Sequence, residues 1–147
     1  MLNEIFDTSR INLDLESTTK TGVFTELIGT IALPDSDFNR QELFDAVILR
    51  ESKMNTNILP GIAVPHGYCK IDKGAVGAIG FSREGIQYDS GSRNLVHLFF
   101  MLLMDEKSRE KDLYILSRLL ALLDSEAFAG IRNAKTPSDV YDVLSGF

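Results

Sequence analysis

The stretch that most limits the fold of this chain is the nearly continuous apolar run LVHLFFMLLM, residues 95–104. A strand with one face in water alternates apolar and polar residues, whereas a strand buried on both faces reads as an unbroken apolar segment. The run is also far shorter than the roughly 20 residues that a membrane-spanning helix needs. We therefore predict a central strand in a sheet that is covered on both sides.

Two further apolar segments are predicted to join this sheet. Residues 62–64 form a short run after the break at Pro60 and Gly61, and AVGAIGFS, residues 75–82, forms a longer one. Helical patterns surround these segments. Together they predict an α/β domain with a mixed β-sheet covered by helices on both faces, and the length fits one domain over residues 1–147.

Helices are predicted from capping residues and from apolar residues at helical spacing. The first begins at Ser17 or Thr18, the second at Asn39, the third at Ser108, and the last at Thr136, with a short helix before it around residues 125–131. The inward face of the third, REKDLYILSRLLALL, is expected to consist of Leu113, Leu116, Leu119 and Leu120.

Composition and charge exclude some partners and compartments. The net charge of −6 argues against nucleic acid, because phosphate backbones are bound by basic patches. Cys69 is the single cysteine, so no disulfide forms within the chain, as expected in a reducing cytosol. No signal segment opens the sequence, and we expect a cytoplasmic protein.

The chain has two histidines in different contexts. His97 lies within the apolar run and is interpreted as a histidine of the core or sheet face with one hydrogen bond. His66 stands at a strand end, after Pro65, which stops strand pairing, and before Gly67, which frees the backbone. Its ring either meets a partner or lies in solvent as part of a turn. An imidazole titrates close to cellular pH, so this position suits chemistry.

Other site chemistries have weak support. Cys69 lies three residues after His66, but a single pair at this spacing is a poor zinc signal, and we expect no metal. Cys69 fits better as a small, half-buried apolar residue. The chain has no phosphate-binding glycine motif, so nucleotide binding is not expected.

The segment RESKMNTNILPGIAVPHG, residues 50–67, resembles the active-site segment of the mannitol/fructose-type enzyme IIA domains of the bacterial sugar phosphotransferase system. That family includes the nitrogen-regulatory enzyme IIA proteins. Its pattern is an Arg-Glu pair closing a helix, a loop with Thr, and then Gly-Ile-Ala-(Ile/Val)-Pro-His-Gly. The later strand and the helix with LYILSRLLALL are also similar, so the resemblance covers nearly the whole chain.

The resemblance implies a phosphotransferase component that works through a phosphohistidine. His66 would accept a phosphoryl group from a histidine phosphocarrier protein and pass it to a sugar permease component. Arg50 would stabilise the phosphoryl group, since a guanidinium fork suits phosphate oxygens. The remaining motif residues would complete the binding site: Glu51, Thr56, Gly61, Pro65 and Gly67. No metal or organic cofactor is implied, and a membrane would be met only through the permease.

The sequence departs from the family at two places. Leu59 and Pro60 stand where the family typically has Gly and Asn, and Asp112 stands at the position of the second family histidine. A carboxylate there would orient the ring of His66, or repel a phosphoryl group by about 3 kcal/mol at roughly 5 Å and an effective dielectric near 20. Alternatively, Asp112 is an ordinary acid in the first turn of a helix.

Three functions therefore remain open. The chain is a phosphoryl carrier for sugar transport, a regulatory enzyme IIA of the nitrogen type that acts by phosphorylation-dependent protein binding, or a degenerate member without efficient phosphotransfer.

Overall fold

The computed structural model describes residues 1–72, 74–91 and 93–147. The helices are α1 (Leu2–Ile5), α2 (Lys20–Ile31), α3 (Arg40–Lys53), α4 (Arg109–Leu123), α5 (Phe128–Arg132) and α6 (Pro137–Leu144), and a 3₁₀ turn covers Thr8–Arg10. The strands are β1 (Ile11–Asn12), β2 (Asn57–Leu59), β3 (Ile62–Ala63), β4 (His66–Cys69), β5 (Ala75–Ile86) and β6 (Val96–Asp105). None of the helices in these residues has the length and apolar character needed to span a membrane.

Strand β6 is the centre of a mixed sheet. On one side it pairs antiparallel with β5. On the other side β3 and β4 run parallel to it one after the other, with Ile62 opposite Leu98 and His66 opposite Leu102. Strand β1 pairs parallel with the outer edge of β5, and β2 pairs antiparallel with β3. The predicted mixed α/β architecture is confirmed.

Helices cover both faces of this sheet, and β6 supplies apolar side chains to each face in turn. Phe99, Met101 and Leu103 pack into the core beneath α2 and α3. Leu98, Phe100, Leu102 and Met104 pack into the second core, beneath α1, α4, α5 and α6. This alternation explains why the sequence of β6 is apolar without interruption.

Two predictions about the helices are wrong in detail. The N-cap of α2 is Thr19, whose hydroxyl accepts from the amide of Gly22 at 3.1 Å. Ser17 instead donates its hydroxyl to Glu26 at 2.7 Å, which holds it outside the helix. In α4, Leu113 and Leu120 are 72% and 50% exposed.

The inward face of α4 is displaced from the predicted one because a leucine-rich helix offers more than one apolar stripe. The buried residues include Asp112, Leu119, Leu122 and Leu123. Of the four leucines predicted to face inward, Leu119 is buried and Leu116 is half-buried against the second core. The short strands β1, β2 and β4 were not predicted, since two to four residues carry little periodicity.

Gly67 allows β4 to lie directly against α3. An alanine Cβ at this position would be 2.7 Å from the carbonyl carbon of Ala46 and 2.8 Å from the amide nitrogen of Val47. Because both atoms belong to the helix backbone, no side chain can rotate away. We expect Gly67→Ala to lower the free energy of unfolding by about 2 kcal/mol, measured by urea denaturation.

Gly29→Ala is the matched control. A Cβ at Gly29 meets nothing within 4 Å, and alanine is the better helix former in α2. This variant should be neutral or slightly stabilised. Equal stability of the two variants would mean that α3 shifts without cost, and that Gly67 is not needed for close packing.

Candidate functional site

His66 is the first residue of β4, just after an interruption between two strands. Strand β3 ends at Ala63 and β4 begins at His66, while the carbonyl of Pro65 accepts from the amide of Leu102 at 3.0 Å. Pro65 interrupts the strand as predicted. The expectation that His66 ends a strand is wrong, and so is the alternative of a ring in solvent, because His66 is only 8% exposed.

Both ring nitrogens of His66 have partners, and these partners fix the tautomer. Nδ1 lies 2.8 Å from the carbonyl oxygen of Val64, and Nε2 lies 3.0 Å from Nε of Arg50. A carbonyl only accepts and a guanidinium only donates. The proton is therefore on Nδ1, and Nε2 presents its lone pair.

The surroundings of His66 favour the neutral ring. Burial lowers its pKa, and the positive charge of Arg50 lowers it further. The hydrogen bond to Val64 and the charge of Glu51 act in the opposite direction, but the pKa remains below its usual value. A neutral imidazole with an unprotonated ring nitrogen is a nucleophile near pH 7.

Arg50 lies in the last turn of α3 and reaches the ring from there. Its Nε donates to Nε2 of His66, and its NH1 group donates to the carbonyl of Met54 at 2.9 Å. The second contact holds the guanidinium against the end of its own helix. The structure thus brings together His66 and Arg50, the residues expected to accept and to stabilise the phosphoryl group.

Glu51 and Thr56 contact each other. The carboxylate of Glu51 accepts from the backbone amide of Thr56 at 3.1 Å and from its hydroxyl at 2.6 Å, and forms an ion pair with Lys20 at 2.9 Å. Burial opposes ionisation of Glu51, but these contacts outweigh it and lower its pKa. Thr56 in turn accepts the amide of Val64 at 3.0 Å through its carbonyl.

Gly61, Pro65 and Gly67 shape the backbone around the histidine. Gly61 has a φ of +82°, a conformation that favours glycine, and its carbonyl accepts from the amides of His97 and Leu98 at 2.9 and 3.1 Å. With the interruption at Pro65 and the close packing at Gly67, these contacts set where β3 ends and where His66 begins β4.

Asp112 is buried in the first turn of α4, with 1% of its surface exposed. His66 pairs in register with Leu102, whose side chain belongs to the core beneath α4. Residues in register in a parallel pair point to the same face, so His66 and Asp112 lie on the same side of the sheet.

His97 and Cys69 match their predicted structural roles. Nδ1 of His97 lies 2.8 Å from the carbonyl of Ser82, and the residue is half-buried in β6. Cys69 is half-buried, and burial raises the pKa of its thiol to about 11, which makes it a poor nucleophile at neutral pH. Across residues 1–72, 74–91 and 93–147, no group of three or more His, Cys, Asp or Glu side chains is arranged to hold a metal ion.

Comparison with known proteins decides the family. The family model described as "Phosphoenolpyruvate-dependent sugar phosphotransferase system, EIIA 2" matches residues 4–146. The chain belongs to this family. The resemblance stated from residues 50–67 is therefore confirmed.

Relatives of this EIIA chain include a sugar-specific component of the phosphotransferase system and a nitrogen regulatory protein. It is 29% identical over 145 residues to the PTS system fructose-specific EIIABC component of Bacillus subtilis, covering 98% of the chain but only 23% of that relative. It is 25% identical over 146 residues to the nitrogen regulatory protein of Pseudomonas aeruginosa, covering 97% and 94%.

Solved structures of family members share the fold. The crystal structure of nitrogen regulatory protein IIA-Ntr from Neisseria meningitidis has a TM-score of 0.86 and 27% identity, over 97% of each chain. Enzyme IIA mannitol of Escherichia coli, in its complex with phosphorylated enzyme IIB mannitol, has a TM-score of 0.72 and 17% identity, over 97% of this chain and 99% of that one. The second likeness concerns the fold alone.

Proposed function

We propose that this EIIA chain is a phosphoryl carrier in which Nε2 of His66 accepts the phosphoryl group. The observation that carries the proposal is the pair of contacts on the ring, in which Nδ1–H donates to the carbonyl of Val64 and Nε of Arg50 donates to Nε2. They leave one nitrogen with a lone pair and place a cation beside it, where the charge of a phosphoryl group would arrive.

The donor in this proposal is a histidine phosphocarrier protein. The lone pair of Nε2 attacks phosphorus in line, the Nε2–P bond forms, and the donor's P–N bond breaks with its electron pair returning to the donor imidazole. No proton has to leave Nε2. The proton stays on Nδ1, which keeps donating to the carbonyl of Val64, and Arg50 turns from the ring to the phosphoryl oxygens. The remaining catalysis is positioning and charge stabilisation.

The destination of the phosphoryl group has two candidates. Transfer to a sugar permease component matches the fructose-specific relative, of which this chain spans about a quarter. Regulation of another protein according to phosphorylation state matches the nitrogen regulatory relative, which it spans nearly end to end. Both uses require the same phosphorylated His66.

The test is phosphorylation in vitro with phosphoenolpyruvate, a general phosphotransferase enzyme and a phosphocarrier protein. We expect a gain of one acid-labile phosphate by intact mass, mapped to the peptide that contains His66. A sugar-specific permease component that removes the phosphate would select the transport role, and a partner that binds only one state would select regulation. No phosphate, where a nitrogen regulatory protein is labelled in parallel, would contradict the carrier proposal.

We further propose that Asp112 is ionised beside phosphorylated His66 and shortens the lifetime of that form, because a carboxylate charge on the same side of the sheet repels a phosphoryl group. Asp112→Asn keeps the shape and removes the charge, so the half-life of phosphohistidine at pH 7 should lengthen about tenfold. Glu110→Gln, which alters an exposed acid in the same turn, is the control and should leave it unchanged. An unchanged half-life in Asp112→Asn would leave Asp112 as an ordinary helix residue.

A further inference from the structure

Two residues outside the motif, Lys20 and Tyr88, form a closed contact network with Glu51 and Thr56. Lys20 binds the carboxylate of Glu51 at 2.9 Å, and the Thr56 hydroxyl lies 2.6 Å from the same carboxylate. The hydroxyl of Tyr88 lies 2.8 Å from that of Thr56. The ammonium nitrogen of Lys20 lies 4.0 Å from the centre of the aromatic ring of Tyr88, which closes the network. Each residue comes from a different segment: the start of α2, the end of α3, the loop after it, and the chain after β5.

The direction of the hydrogen bonds in this network follows from charge. Glu51 is ionised, because its pKa is lowered, and it can only accept. Thr56 therefore donates its single hydroxyl proton to Glu51, and Tyr88 must donate to Thr56. Burial raises the pKa of Tyr88, so its phenol keeps the proton that this arrangement needs. Thr56 and Tyr88 are 2% and 4% exposed, and an unmade bond there is costly.

The network of Lys20, Glu51, Thr56 and Tyr88 connects to His66 through the backbone. Glu51 holds the amide of Thr56, the carbonyl of Thr56 holds the amide of Val64, and the carbonyl of Val64 accepts Nδ1–H of His66. Glu51 also directly follows Arg50, which contacts the other ring nitrogen. The same network therefore holds the two chain segments that carry the partners of the imidazole, Val64 and Arg50.

We propose that Tyr88 and Lys20 are positioning residues that hold His66 in its Nδ1–H form without touching it. Which nitrogen of a histidine carries the proton is set by the partner of the other nitrogen, so a displaced Val64 carbonyl allows the second tautomer. That tautomer places a proton on Nε2, so Nε2 has no lone pair with which to attack phosphorus. The consequence for transfer rests on the proposed carrier function, whereas the consequence for the tautomer does not.

Tyr88→Phe is the main test, because it removes one hydroxyl and keeps the ring that packs on Phe24 and Phe99. The ¹⁵N shifts of His66 report the tautomer directly, with no phosphoryl donor present. We expect Nδ1–H alone in the native chain and a mixture in Tyr88→Phe, with phosphoryl transfer about fivefold slower. Tyr141→Phe, at a half-buried tyrosine on α6, is the matched control and should change neither readout.

Lys20 supplies a second, independent variant. Lys20→Met should shift the tautomer in the same direction. Lys20→Arg should keep the native tautomer, because it retains a cation between the carboxylate of Glu51 and the aromatic ring of Tyr88. The double variant of Tyr88→Phe and Lys20→Met should show less than the sum of the two effects, because both act through Glu51 and Thr56. Lys53→Met, at an exposed lysine in the last turn of α3, is the control.

The outcomes separate this inference from the carrier proposal. Unchanged His66 shifts in Tyr88→Phe and Lys20→Met, even with a lower melting temperature, would reduce both residues to a structural role and overturn the inference. A native chain that takes no phosphate but shows the tautomer shift would overturn the carrier proposal and leave the positioning network standing.

Discussion

His66→Gln should take no phosphate at all under conditions that label the native chain completely. Glutamine has no nucleophilic nitrogen, but it can still donate to the carbonyl of Val64 and accept from Arg50, the two partners of the imidazole. It also fills much of the space of a ring that is only 8% exposed, which alanine would leave empty. Intact mass after incubation with the phosphoryl donor measures the loss, and thermal unfolding verifies the fold.

The second histidine provides the control for this loss. His97→Gln makes the same chemical change at a half-buried ring that contacts the carbonyl of Ser82 and lies outside the site. It should be labelled like the native chain. If label persists on His66→Gln and disappears from His97→Gln, the acceptor is His97, and the assignment built on the contacts of His66 is wrong.

The sequence predicted the sheet, its covering and the main helices because each rests on a long pattern. The apolar run of β6 and the spacing in α2 and α3 extend over ten residues or more. The inward face of α4 was misplaced because its leucines form overlapping stripes, and only packing decides between them. The burial of Asp112 was left open by the sequence, which was compatible with a carboxylate beside His66 and with an ordinary acid in the first turn of the helix.

The chemistry of the site was only partly predictable. Arg50 and His66 were found through a resemblance over a contiguous segment, but their contact depends on how the end of α3 meets the start of β4. Lys20 and Tyr88 carry no sequence signal toward the site, since they lie 31 and 37 residues from Glu51 along the chain, beyond any local motif. Their role follows only from three-dimensional contacts among four separate segments.

Arg50→Lys should slow phosphoryl transfer to His66 by about 100-fold while changing the free energy of unfolding little. Lysine keeps the positive charge but loses the planar fork that binds the ring through Nε and the carbonyl of Met54 through NH1. The single ammonium cannot hold that fixed position and also turn to two phosphoryl oxygens. Single-turnover kinetics with a phosphorylated donor would measure the rate.

Arg40→Lys separates this effect from the general cost of replacing an arginine on α3. Arg40 is the first residue of the helix and binds the carbonyl of Ala32 through Nε at 3.0 Å, far along α3 from Arg50. It should transfer at the native rate. Equal rates for Arg50→Lys and the native chain would mean that only charge matters at this position, and that the fork geometry seen beside Nε2 serves the helix end rather than the phosphoryl group.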